Sequence, residues 1–231
     1  MFAMKAPNAD LPRVERVAQE PLARGPSLSL RYPELRDAPA LFALATDPEV
    51  TRFFSWGPYE DPRETLAWLG TLPQRRARGI ALELAVVDEA DQPIGITLLS
   101  EIGRRDRRAI VGTWLGRAYW GTRANRETKA LMAHLAFGRL ELDRLGAYAD
   151  VLNTRSQAAL ERLGFKREGV LHAFHRHYDT PRDVAPYALL RRDWERGELA
   201  RVPAQLGGSL PDALTKPVVP MLDGLSWLLK D

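Results

Sequence analysis

Apolar positions along this chain switch repeatedly between two periods. Between residues 38 and 72 they recur at helical spacing. The stretch "APALFALA" follows Asp37, which is placed to cap it, and Pro39 is tolerated because first-turn amides have no intrahelical partner. A second helix is expected from Asp61, with Pro62 in the first helical position and Glu64 three residues after the cap, as in a capping box. Thr65, Trp68 and Leu72 then share a face. Ahead of both helices, "LSLRYPEL" reads as a strand.

The middle alternates with period two: "ALELAVVD", "QPIGITLLSEIG" and "RAIVGTWLG" predict three strands, most simply an antiparallel meander. Helical spacing returns near Asn125, where Ala130, Leu131, Leu135, Phe137 and Leu142 leave little polar surface, as suits a helix covering a sheet. A strand "LGAYADVL", a short helix "NTRSQAALERL" stopped by Gly164, and a closing pair of strands in "FKREGVLHAFHRHY" and "VAPYALLRRDW" complete the pattern. The order β-α-α-β-β-β-α-β-α-β-β predicts one α/β (α+β) domain around a mixed, mostly antiparallel sheet flanked by helices. It spans residues 27–195. A proline-bearing extension (1–26) precedes it, and a Gly/Pro-rich extension (196–231) follows. The latter ends in the amphipathic "MLDGLSWLLKD", expected to dock on its own domain or on a second subunit as a homodimer.

Composition narrows the function classes. With 231 residues, 45% hydrophobic and 27% charged, the chain has the makeup of an ordinary globular protein with a sizeable core. Cysteine is absent, which removes disulfides, thiolate metal sites and a cysteine nucleophile, and suits a reducing compartment. Basic residues number 33, 28 of them arginine, against 30 acidic residues. The arginines are scattered with no nucleic-acid module, so no nucleic-acid partner is expected. No run of about 18 apolar residues appears, so no membrane association is expected, and a cytoplasmic location is the expectation.

The candidate chemistry centres on "YWGTRANRETKALMAHLAF", residues 119–137. A turn entering a helix offers unpaired N–H groups and the positive end of the dipole to an anion. Gly121 allows close backbone approach, and Thr122, Arg123, Asn125 and Arg126 add hydrogen bonds and charge. Neither a P-loop nor a dinucleotide fingerprint is present. A second constellation, "NTRSQAALERLGF", sets Asn153 at a strand end with Ser156 three residues on.

Together these motifs, with "DPEVTRFFSWGPY" and "YALLRRDW", resemble the GNAT superfamily of acyl-CoA-dependent N-acetyltransferases, and within it the RimJ/RimL group that acetylates protein N-terminal amines. The resemblance implies a sheet splayed at an acyl-CoA site, with acetyl-CoA as co-substrate and no metal. Its pyrophosphate would rest on the turn formed by Gly121, Thr122, Arg123, Ala124, Asn125 and Arg126. The pantetheine arm would pass the backbone at Trp114 and Leu115 and meet Asn153, with Ser156 beside the sulfur. Arg123 replaces the family's usual second glycine, which puts affinity for the coenzyme in question.

Acetylating an amine needs a free amine, a stabilised oxyanion and a protonated leaving thiol. Ser156 is the candidate donor to the sulfur. Many family members carry a glutamate where this chain has Ile110. His175 falls near an acidic base candidate of RimL-like enzymes and could relay a proton through water. Strand alternation would put His175 and His177 on one face and His172 on the other. Trp56 and Tyr59 are expected to wall the acceptor pocket. Alternatives are acetylation of a small amine, and a catalytically inactive CoA-binding or interaction module.

Overall fold

The computed structural model describes residues 20–215. The terminal amphipathic segment and most of the leading extension lie outside the described residues. Ten strands form one sheet: β1 (Ala23–Arg24), β2 (Ser29–Arg31), β3 (Ala81–Val87), β4 (Pro93–Gly103), β5 (Arg108–Leu115), β6 (Arg144–Asp150), β7 (Lys166–Arg167), β8 (Leu171–His177), β9 (Thr180–Leu190) and β10 (Gln205–Leu206). The spatial order is β10-β1-β2-β3-β4-β5-β6-β9-β7, with β8 also paired to β9. Neighbours run antiparallel except β5 and β6, which are parallel. The helices are α1 (Ala38–Ala45), α2 (Pro48–Thr51), α3 (Pro62–Ala77), α4 (Ala124–Ala133, running on into a π-turn at His134–Arg139), α5 (Thr154–Arg162), α6 (Arg191–Arg196) and α7 (Asp212–Thr215).

Two cores sandwich the sheet. On one face α4 buries Ala130, Leu131, Ala133 and the π-turn's Phe137 against Leu84, Val111, Leu115 and Leu145. On the other, α1 and α3 bring Leu41, Leu69 and Leu72 onto Ala85, Val87 and Ile96, with Trp114 at the margin. β5 therefore alternates faces: Val111 turns toward α4 and Trp114 toward α1 and α3.

The capping box of α3 forms as expected, Asp61 accepting from Arg63 N–H at 2.8 Å and Glu64 accepting from Asp61 N–H at 3.0 Å. Asp37 departs from its expected role. It stands before α1 but makes no side-chain cap; its carboxylate accepts instead from the buried Arg31 guanidinium at 2.7 and 2.9 Å and from Glu34 N–H at 2.8 Å. A bidentate arginine is the stronger claim on a buried carboxylate. The last expected strand is also shorter than its sequence pattern: β9 ends at Leu190, and "RRDW" opens α6, with Asp193 in a first turn that favours negative charge. Finally, the sheet reaches past residues 27–195, because β1 and β10 pair with each other at its far edge.

Candidate active site

β5 and β6 pair only over Arg108–Ile110 and Arg144–Gly146. Beyond that point β5 continues to Leu115 along β4, and β6 continues to Asp150 along β9, but the two no longer meet. Gly146 sits at the fork because a Cβ there would come within 2.5 Å of the Ile110 side chain. The result is a wedge with two inward backbone edges. Backbone donors and acceptors need partners, and an extended ligand carrying amides can supply them as an added strand would.

This wedge is the floor of an open cleft of about 230 Å³. Of the residues expected at the site, Trp114, Leu115, Gly121, Asn125, Asn153 and Ser156 all line it. Gly121 turns at φ +74°, and nothing would lie within 4 Å of a Cβ placed on it, so the turn is open on its outer side. Thr122 organises the start of α4: its hydroxyl donates to Tyr119 O at 2.7 Å and accepts from Ala124 N–H at 3.1 Å. Arg123 lies in ordinary right-handed helical backbone, φ −72° and ψ −13°, so the position needs no glycine. Together with Arg126 and Arg201 it lines a neighbouring groove rather than the wedge.

Asn153 caps α5 through its side-chain oxygen, which accepts from Ser156 N–H at 3.0 Å. Arg155 stacks over the Trp120 ring at 3.4 Å, and Trp120 Nε1–H donates to Leu115 O at 2.9 Å. The guanidinium thus stands over the cleft, tied by its ring partner to the end of β5; burial pushes its pKa down.

The aromatic loop divides between the cleft and a cluster beside it. Phe53 and Phe54 line the cleft. Trp56 and Tyr59 stand behind them in an aromatic cluster, Trp56 lying 5.3 Å from Phe54, 5.3 Å from Tyr59 and 5.5 Å from Trp114. Burial raises the Tyr59 pKa. The β8–β9 hairpin holds this loop from outside: His177 Nδ1 contacts Phe54 O, and the Tyr178 hydroxyl donates to Gly57 O at 2.7 Å.

His175 lies exposed on β8, away from the cleft lining, its ring 4.9 Å from Phe174 and 6.0 Å from the cleft residue Tyr148. Pairing is regular at His175–His177 but broken between Leu171 and His175, where Ala173 adopts φ +52°. Within the irregular stretch His172 meets Asp183 at 2.8 Å.

Sequence reasoning missed one residue. Lys129, one turn into α4, is only 6% exposed yet lines the cleft, with Nζ 2.5 Å from Thr113 Oγ1 on β5. Burial lowers its pKa to about 7. The available signal was the unbroken polar run from Asn125 to Lys129, opening a helix that is apolar from Ala130 to Ala133. Glu127 explains itself: its carboxylate accepts from Ser27 N–H, the Ser27 hydroxyl and Leu28 N–H at 2.6–2.8 Å, fastening the β1–β2 turn to α4. Among the described residues no group of three or more metal-ligating side chains converges, and no helix is long and apolar enough to cross a membrane.

The sequence matches the model of the acetyltransferase (GNAT) domain over residues 27–166. It is 30% identical over 168 residues to the N-acetyltransferase p20 of Bacillus licheniformis, itself named as uncharacterized, covering 72% of this chain and 94% of that protein. Solved structures share the fold. Microcin C7 self-immunity acetyltransferase MccE, in complex with acetyl-CoA and AMP, superposes with a TM-score of 0.65 at 20% identity, covering 71% of this chain and 93% of that one. Spermidine N-acetyltransferase from Vibrio cholerae, with CoA and spermine, gives 0.63 at 22% identity, with 72% and 97% covered. A forked parallel pair, an open amide turn at the following helix and the matching domain thus agree: the chain belongs to the GNAT acetyltransferase family and is an N-acetyltransferase.

Proposed function

We propose that this enzyme moves an acetyl group from acetyl-CoA to a primary amine by direct attack within a ternary complex, and that the amine is a protein N-terminus, as in the RimJ/RimL group. The observation that carries the proposal is the continuity of one cleft from the open turn at Gly121, along the free edges of β5 and β6, to Ser156. These residues fit an acyl-CoA. The amides at the start of α4 suit its diphosphate, the free edge near Trp114 and Leu115 suits the amides of its arm, and Asn153 stands where the arm would meet α5. Bound there, the thioester supplies an activated acyl carbon.

The rest is the work of the chain. Ser156 Oγ–H donates to the sulfur as it leaves, its position set by the Asn153 cap. Backbone N–H groups on the free edge of β5 are aimed at developing oxyanion charge, which pre-aligned donors stabilise at little reorganisation cost. A protein α-amine has a reference pKa near 7.7–8.0, so a weak acceptor suffices for its proton. His175 would serve through Tyr148 and water, being outside the cleft itself. An open mouth bordered by Glu49 and Phe53 leaves room for a peptide end. A small amine is the second reading, favoured by the hairpin that pins the aromatic loop.

Incubation with acetyl-CoA and a panel of N-terminal peptides and small amines tests both readings through thiol release. Release dependent on peptide acceptors is expected. Release with small amines alone would move the assignment to them, and binding of acetyl-CoA without release would leave an inactive module.

A further inference from the structure

Lys129 is not needed to hold the diphosphate. It lies four residues beyond Asn125, about 6 Å deeper along α4, and its amine comes to rest against β5 near the narrowing of the wedge. Thr113 and Thr97 face each other across β4 and β5, with their hydroxyl oxygens 2.8 Å apart. Both also reach Gly112 O, at 2.8 and 3.1 Å. Lys129 Nζ donates to the first of these hydroxyls. Part of the floor of the wedge is thus a small polar spine ending in a buried amine.

An ammonium has three donors, and Thr113 takes one. Among the described residues Lys129 enters no ion pair, and no charged neighbour offsets its burial. A buried cation without a counter-charge is costly, and here the open side of the cleft is where a counter-charge can arrive. Along an acyl-CoA seated as above, the acyl group is the part that reaches this depth.

We propose that Lys129 and Thr113 form a subsite for acyl groups ending in a carboxylate, giving the cleft a second class of donor beside acetyl-CoA: dicarboxylic acyl thioesters. The inference rests on the acyl-CoA reading of the cleft. An incoming carboxylate completes a charge-assisted pair with the ammonium, which is stronger than a neutral hydrogen bond. An alkyl chain of equal length meets the same polar spine with nothing to offer it. Acetyl is too short to reach the amine, so its binding does not depend on Lys129.

Calorimetric titration with CoA, acetyl-CoA, butyryl-CoA and succinyl-CoA separates these cases, since butyryl and succinyl chains share their length. Wild type should bind succinyl-CoA about tenfold or more tightly than butyryl-CoA. Lys129→Met and Lys129→Gln should each abolish that ratio while leaving CoA and acetyl-CoA affinity within about twofold. Equal wild-type affinities, or a ratio that survives both substitutions, overturns the subsite. Failure of CoA itself to bind would instead overturn the acyl-CoA reading, a distinguishable result. The other charged or titratable groups lining the cleft are Glu49, Tyr119, Tyr148, Asp150 and Arg155. Asp150 is already engaged by Leu152 N–H at 2.8 Å and by Arg182 at 3.9 Å. The succinyl advantage should therefore be fully present below pH 7 and shrink as the pH rises through about 7, where Lys129 loses its proton. A ratio that grows with pH overturns the assignment.

Discussion

Asn153 and Ser156 are joined by a 3.0 Å hydrogen bond from the serine amide to the asparagine side chain, so the residue that starts α5 also fixes where the Ser156 hydroxyl stands over the cleft. The two can be separated by substitution. Ser156→Ala keeps the amide and the cap; it should lower kcat about 10²-fold with little change in acetyl-CoA affinity. Asn153→Ala removes the cap; it should cost about 1 kcal/mol of stability and weaken acetyl-CoA binding as well. Steady-state kinetics with denaturant melts of both variants check this, and equal kcat losses without any stability change for Asn153→Ala would refute it.

Gly121 offers a test of the anion turn. Its φ of +74° is one that a side chain rarely adopts, and nothing crowds a Cβ there. Gly121→Ala should fold with a loss of about 1 kcal/mol. The added methyl stands on the open side of the turn, so CoA affinity should fall further than the melt shifts. Truncated analogues lacking the diphosphate, such as S-acetylpantetheine, should be indifferent to the substitution.

Lys129 makes stability depend on pH with a definite sign. Its folded pKa, about 7, lies below the unfolded value of 10.5, so between these values the unfolded chain binds more protons. Stability should therefore rise from pH 7 toward pH 10, by up to roughly 5 kcal/mol at this single site, and the penalty is fully present below pH 7. Urea melts of wild type and Lys129→Met should show the variant's advantage greatest in acid and vanishing in base; a pH-independent difference would contradict the assignment.

His175 meets the cleft residue Tyr148 edge-on, with ring centroids 6.0 Å apart. If it relays the amine proton, His175→Ala should flatten the acidic limb of the pH–rate profile, and Tyr148→Phe should do so in part. Unchanged profiles for both would clear the pair of the role.

What could be read in advance follows from how local each signal is. The α3 start was legible because Asp61, Pro62 and Glu64 act within one turn. The start of α5 at Asn153, three residues before Ser156, was legible for the same reason. Asp37 misled because its partner, Arg31, comes from the preceding strand, and a competing pair is invisible to a cap pattern. The bulge at Ala173 was hidden because alternation in a strand assumes an unbroken ladder. Trp56 and Tyr59 look like pocket walls in a list of aromatics, yet tertiary packing on Trp114 sets Phe53 and Phe54 in front of them. Lys129 was hardest. A lysine on a helix normally faces water, and its burial depends on a threonine sixteen residues away that only the fork of β5 from β6 exposes.

Pairing between β1 and β10 has a consequence for anyone shortening this protein. Residues 196–215 supply none of the side chains lining the cleft, yet Gly207 N–H donates to Leu22 O at 3.1 Å, and β10 covers the outer side of β1. A chain cut at 195 would keep every side chain that lines the cleft, but it would lose the buried Leu199, Val202 and Leu214 and bare a strand flank beside Leu22 and Ala23, both fully sheltered in the intact molecule. Such flanks recruit one another. The stretch 196–215 is then both a core patch and a guard against clumping, and its removal should cost stability and solubility together.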